Sequence, residues 1–148
     1  HRDLHSFPTR RSSDLWELEG SFEVAVLAAY FSYPTLNSLA KGGEQATGRA
    51  LSPPFELPKG AHSLLVELQG GRNEEIAGQP NLALRLQDAE SGEVLATLLP
   101  PATHIPQPLG LPVKGLEGRK LRLELIDSNP GSSFAWIGLK SVSVRFGE

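Results

Sequence analysis

The sequence predicts an all-β chain folded as an antiparallel two-sheet β-sandwich, and three observations carry that reading. First, apolar and polar residues alternate over several short segments. In Asn81–Asp88, Leu82, Leu84 and Leu86 fall on one face, while Asn81, Ala83, Arg85 and Gln87 fall on the other. Successive side chains of a strand point to opposite faces, so a period of two marks a strip with one buried face. Second, fifteen glycines and twelve prolines are spread between the apolar runs, which punctuates the chain too often for a helical bundle. Third, short strips with one apolar face each must bury those faces against a second sheet.

Taken in order, the first strip after Trp16 is Phe22–Ala28. Ala29–Thr47 follows, the longest stretch without a strand pattern. It holds Tyr30, Phe31 and Tyr33, then Gly42 and Gly43, and loops this long in a compact domain are functional or mobile. Ala50–Leu57 and Ser63–Gln69 read as strands. Gly70-Gly71 after the second of them reads as a turn requiring positive φ. Ala77–Pro80 is a loop, Asn81–Asp88 the strand described above, and Asp88–Gly92 a hairpin loop leading to a strand at Val94–Leu98. The proline-rich Pro100–Pro112 reads as a loop crossing between the sheets. In Lys120–Asp127, Leu121, Leu123 and Leu125 face the core, with Lys120, Arg122 and Glu124 on the solvent side. Ser128–Gly131 reads as a tight turn. Ser141–Phe146 closes the set, with Val142, Val144 and Phe146 alternating with Ser141, Ser143 and Arg145.

The run His1–Leu15 (HRDLHSFPTRRSSDL) has no apolar periodicity and no continuous apolar stretch of the kind a secretory signal needs. Back-translated, every residue of it resembles the adapter oligonucleotide of a short-read sequencing chemistry. Residues 1–15 are therefore read as a non-native, disordered leader and residues 16–148 as the module, with the parent protein expected to extend upstream. Without the leader, Lys+Arg falls from 14 to 11 and Asp+Glu from 17 to 15, leaving a net charge of −4. No basic footprint for nucleic acid survives, and no segment supplies the roughly 20 apolar residues of a membrane-spanning helix. Cysteine is absent, which excludes disulfides, thiol nucleophiles and thiolate zinc sites.

Three separated pieces, in order, resemble a jelly-roll, galactose-binding-like β-sandwich module that accompanies levanase-type family-32 glycoside hydrolases and recurs in large secreted planctomycete proteins. The first is Trp16, Gly20 and Phe22. The second is Gly43–Leu57 (GEQATGRALSPPFEL), continuing through Leu64–Asn73 with Gly70-Gly71 at a glycine-rich turn. The third is Gly115–Val142, with Leu116-Glu117-Gly118-Arg119-Lys120, then Ile126-Asp127, then Phe134–Ile137. Two polar positions of the pattern, a histidine and an aspartate, are replaced here by Trp136 and Lys140. The resemblance implies a non-catalytic accessory module of a larger protein, extracellular or periplasmic. Its expected partners are a weakly bound carbohydrate and neighbouring domains of the parent chain. The alternative is a structural spacer, or an interdomain packing module, with no ligand.

The residues themselves supply no catalytic centre. Glycoside hydrolysis needs two carboxyls about 5–10 Å apart across a cleft, and the acidic residues are scattered over outer faces. His62 and His104 are isolated, and Ser52, Ser132 and Ser133 lack a nucleophile elbow. Sugar-binding modules set aromatic faces against pyranose C–H surfaces, with a few polar groups fixing orientation. The candidates are Tyr30 and Tyr33 in the long loop, Arg72 and Asn73 after the glycine pair, and Asp127 with Trp136 near the last turn. Trp136 reads first as core packing, and Tyr33, beside Pro34 in the loop, as the more exposed of the aromatics. Asp127 either caps the Ser128–Gly131 turn or joins backbone carbonyls around a structural calcium ion. A ligand site is expected at a loop end of the sandwich, because leucine and valine fill the interior.

Overall fold

The computed structural model describes residues 2–3, 16–28, 32–71, 75–76, 79–131 and 134–146. The strands are β1 (Arg2–Asp3), β2 (Glu17–Gly20), β3 (Glu23–Val26), β4 (Pro34–Asn37), β5 (Gly48–Leu51), β6 (Phe55–Glu56), β7 (Ala61–Gly70), β8 (Glu75–Ile76), β9 (Gln79–Pro80), β10 (Leu82–Asp88), β11 (Val94–Leu98), β12 (Thr103–Pro112), β13 (Lys120–Asp127) and β14 (Ile137–Phe146). The first sheet runs β12-β7-β14-β4-β3, with β1 against β14. The second runs β11-β10-β13-β5-β2, with β6 against β13, and β8 and β9 pair separately. The described pairings are all antiparallel. β1 falls within residues 1–15, read above as a leader, and its Arg2 and Asp3 lie opposite Val144 and Ser143.

The alternation sets the core. Leu64, Val66 and Leu68 of β7, Leu36 of β4 and Val144 of β14 are fully buried from one sheet. Leu82, Leu84 and Leu86 of β10 and Leu121, Leu123 and Leu125 of β13 are fully buried from the other. Trp16 and Phe22 join the same cluster. Each such leucine withdrawn from water is worth roughly 1.5–3 kcal/mol, which holds the two sheets face to face.

Five local readings are corrected. Pro34–Asn37, inside the stretch read as loop, is strand β4. It carries one apolar residue, Leu36, so no period shows, yet Thr35 and Asn37 are buried with it. Ala50–Leu57 is two short strands, because Pro53 and Pro54 have no N–H for the ladder. Between them the Ser52 hydroxyl accepts the Leu123 N–H at 2.8 Å. Pro100–Pro112 crosses between sheets only at its start and then forms the ten-residue β12. Its prolines are tolerated because β12 is an edge strand paired only with β7, where outward N–H groups have no partner to lose. Ser128–Gly131, read as a tight turn, is the start of a crossing from β13 in one sheet to β14 in the other. Glu124, read as a surface charge, is 4% exposed, because Arg49 and Arg85 from β5 and β10 lie over it, with Arg49 at 2.8 Å.

The glycine pair has a packing role beyond a turn. Gly70 has φ +138°, which disfavours any L side chain. Gly71 donates its N–H to the Trp136 carbonyl at 2.9 Å. A Cβ at Gly71 would run into the Phe134 carbonyl oxygen and ring, so the crossing segment lies directly on the end of β7.

Candidate functional site

Tyr30, Arg72 and Asn73 lie outside the described residues, and the other three candidates do not converge. Trp136 is 1% exposed, with the Phe134 ring 5.8 Å away. A ring so enclosed offers no face to a sugar, and its core reading replaces the ligand reading. Asp127 is also 1% exposed. Its Oδ1 accepts the Asn129 N–H at 3.0 Å, and Asn129 Oδ1 in turn accepts the Gly131 N–H at 2.9 Å, so Asp127 caps the start of the crossing. Asp127 Oδ2 is buried without a hydrogen-bond partner. Burial pushes this carboxyl up to about 6, opposed by the Ser38 hydroxyl and the Asn129 amide. The Ser38 hydroxyl is itself shared with the Ile137 carbonyl at 3.4 Å, which limits its help. Calcium takes six to eight oxygens. Among the described residues no three histidine, aspartate or glutamate side chains gather to hold a metal ion, so the side chains around Asp127 do not by themselves fit one.

Tyr33 stands elsewhere, in the loop between β3 and β4 and against the outward side chain of Lys140 from the first sheet. It precedes β4 and is partly exposed. Lys140 Nζ sits 4.5 Å from the centre of its ring and 3.7 Å from Glu67 Oε2. The Ser141 hydroxyl donates to Glu67 Oε1 at 2.6 Å. A β-bulge builds this patch. The register of β14 on β7 shifts between Leu139, opposite Leu68, and Ser141, opposite Glu67. The extra residue lets Lys140 and Ser141 both face outward around Glu67, while Leu139 and Val142 on either side remain in the core. Bulges re-aim side chains in this way at functional places.

Sequence reasoning found Tyr33 and missed Glu67, Lys140 and Ser141 as its partners. A signal was present: the buried residues of β14 change phase, from Ile137 and Leu139 to Val142 and Val144, and a phase change in a strand is a bulge. The patch offers an aromatic ring, an ammonium, a carboxylate and a hydroxyl within one contact surface.

The two carboxyls with shifted titration, Asp88 and Asp127, do not make a hydrolytic pair. Asp88 Oδ1 accepts the N–H groups of Glu90 and Ser91, closing the β10–β11 hairpin, and the Arg119 guanidinium holds its carboxyl well below the usual range. Leu82 is opposite Asp127 and Asp88 opposite Leu121, so the two perturbed carboxyls lie at opposite ends of one strand pair. Six residues at about 3.3 Å each separate them by about 20 Å, where glycosidases need about 5–10 Å. No helix among the described residues is long and apolar enough to cross a membrane.

No protein-family model and no curated protein matches the chain. Solved structures do. TmCBM61, seen in complex with β-1,4-galactotriose, is 13% identical over 99% of this chain and 100% of that one, with a TM-score of 0.61. A family 6 carbohydrate-binding module is 7% identical over 92% of each chain at 0.54. The family 11 module of Clostridium thermocellum, in complex with a β-1,3-1,4-mixed-linked tetrasaccharide, is 7% identical over 99% of this chain and 95% of that one at 0.53. At these identities the likeness is one of fold, and the chain has the two-sheet β-sandwich fold of these three modules.

Proposed function

We propose that this chain is a non-catalytic accessory module of a larger extracellular protein, of the kind that accompanies levanase-type hydrolases, and that it binds a saccharide weakly through the open face of its first sheet. The observation that carries this is the Tyr33–Lys140–Glu67–Ser141 patch, on a fold like that of modules solved with β-1,4-galactotriose and with a β-1,3-1,4-mixed-linked tetrasaccharide. In the free protein the Lys140 ammonium lies over the Tyr33 ring, where a pyranose C–H face would stack. Binding exchanges that cation–π contact, worth about 0.5–1 kcal/mol at an exposed site, for stacking, and frees the ammonium to donate to a sugar hydroxyl. Glu67, fixed by Ser141, accepts from a second hydroxyl. One aromatic contact set against that exchange and sugar desolvation gives an affinity of roughly 0.1–1 mM, about −4 to −5.5 kcal/mol.

The test is calorimetric titration with a panel of fructans, galactans and mixed-linked glucans, on the parent protein and on Tyr33→Ala. Binding to one class of glycan, lost in Tyr33→Ala, supports the reading. Binding unchanged by Tyr33→Ala places the sugar elsewhere. The burial of Asp127 and Trp136 favours the structural spacer as the second reading, and heat-silent titrations across the whole panel would make it the better one.

A further inference from the structure

The open face of the second sheet carries a polar lattice that the Tyr33 patch does not use. The central strand β13 presents Arg122, Glu124 and Ile126 to this side. They stand opposite Gln87, Arg85 and Ala83 on β10, with Leu51 and Arg49 of β5 beyond Glu124 and Ile126. Glu124 holds the lattice together. It is paired to Arg49 at 2.8 Å and Arg85 at 3.6 Å, and accepts from Gln87 Nε2 at 2.9 Å. Gln87 Oε1 in turn accepts from Arg122 Nε at 2.7 Å. Two guanidinium groups therefore stand against one carboxylate, and a third, that of Arg122, is joined to it through Gln87. Arg49 Nε is buried without a partner.

Two hollows flank the lattice. One, of about 320 Å³, has Arg49, Ile126, Asp127, Ser128 and the edge residue Glu19 in its wall. The other, of about 230 Å³, is lined by Arg122, Leu51, Ser52 and the edge residue Glu17. Their β13 residues on this face, Arg122 and Ile126, are four apart, so the hollows are about 13 Å apart along the strand. Each combines a guanidinium toward the middle of the sheet with a carboxylate at its rim. A dense anion would be repelled by the rim, and a neutral sugar finds no aromatic side chain on these strands to stack on. A sugar acid, with one carboxylate among several hydroxyls, matches both parts. Its carboxylate meets an arginine fork, the geometry guanidinium groups favour, and its hydroxyls reach Glu17 or Glu19.

We propose that this face binds a linear polyuronate lying along β13, with a uronate carboxylate at Arg49, another at Arg122 and Arg85 between them. This shares with the proposed function the premise of glycan binding, but not the site. The test is an NMR titration of the isotope-labelled full chain with tetragalacturonate, neutral β-1,4-galactotetraose and poly-glutamate, at about 20 and about 150 mM salt, where screening differs severalfold. Saturable shifts on β5, β10 and β13 with tetragalacturonate are expected, with a Kd of about 0.1–1 mM at low salt that weakens at high salt. Arg122→Gln and Arg85→Gln should each weaken binding about fivefold while leaving the shifts of the Tyr33 face unchanged. Galactotetraose shifts, which test the other site, fall on the opposite sheet and are read separately. No saturable shift up to about 10 mM tetragalacturonate overturns the proposal, as does affinity unaltered in both arginine variants. Equal binding of poly-glutamate also overturns it, by assigning the face to an acidic polypeptide.

Discussion

Replacing Asp127 by asparagine keeps the atom that caps the crossing and removes the charge that is buried with it. Asparagine Oδ1 accepts the Asn129 N–H as the aspartate does, and its amide nitrogen takes the place of the unpartnered Oδ2. The carboxyl stands at about 6 in the folded chain, against an ordinary value of 3.8. A raised folded pKa means that the stability tied to the neutral acid is fully present below the unfolded value and is lost as pH rises through the folded value. Two pH units at about 1.4 kcal/mol each give a loss of about 3 kcal/mol between pH 4 and 7. Asp127→Asn escapes that loss. It should be more stable than the parent by about 2–3 kcal/mol at pH 7, a Tm higher by roughly 5–10 °C, and nearly equal to it at pH 4. Urea denaturation at half-unit steps between pH 4 and 8 measures this directly. An asparagine variant less stable than the parent at pH 7 alone would refute the reasoning, because the ionised carboxylate would then have a partner, a bound cation foremost.

Other expectations follow from packing. Leu84→Ala and Leu123→Ala, both fully buried, should each cost about 2–5 kcal/mol in denaturant unfolding. Glu124→Ala should cost about 1–3 kcal/mol, more than the roughly 0.5 kcal/mol of a surface change, because it strands Arg85, Gln87 and Arg49; a value near zero would place Glu124 in solvent. Gly71→Ala should lower stability by at least about 1–3 kcal/mol, the cost of an overpacked contact, since its Cβ meets the Phe134 backbone; a neutral result would show that the crossing does not rest on β7. Deleting residues 1–15 should leave the Tm within about two degrees, as β1 adds only a two-residue pairing, and a loss of several degrees, on the order of 1 kcal/mol, would mean that the segment packs.

The sandwich was legible because its central strands alternate cleanly. Leucine at every second position of β10 and β13 names both the strand and its buried face without help from distant residues. What escaped was set by partners the sequence does not place. β4 has a single leucine and draws its burial from neighbours on β3 and β14. β12 reads as loop because prolines count against a strand unless its edge position is known. Glu124 looks like any outward glutamate until two arginines from separate strands close over it. The same limit applied to the site. Tyr33 stood out as an aromatic beside proline, and the out-of-phase apolar residues of β14 announced a bulge. That the bulge would set Lys140 and Ser141 around Glu67 depends on the register of β14 against β7. The expectation of a loop-end site rested on the apolar interior, and two of its six candidates, Asp127 and Trp136, are buried where the chain crosses between the sheets.

The measurement that bears most directly on carbohydrate recognition by the first sheet is an NMR shift map of the labelled protein titrated with β-1,4-galactan, fructan and mixed-linked glucan oligosaccharides. Saturable shifts should appear at Tyr33, Glu67, Lys140 and Ser141 with one of these ligands, at a Kd of roughly 0.1–1 mM, and vanish in Tyr33→Ala. Silence at these four residues up to about 10 mM of every neutral sugar would contradict the account.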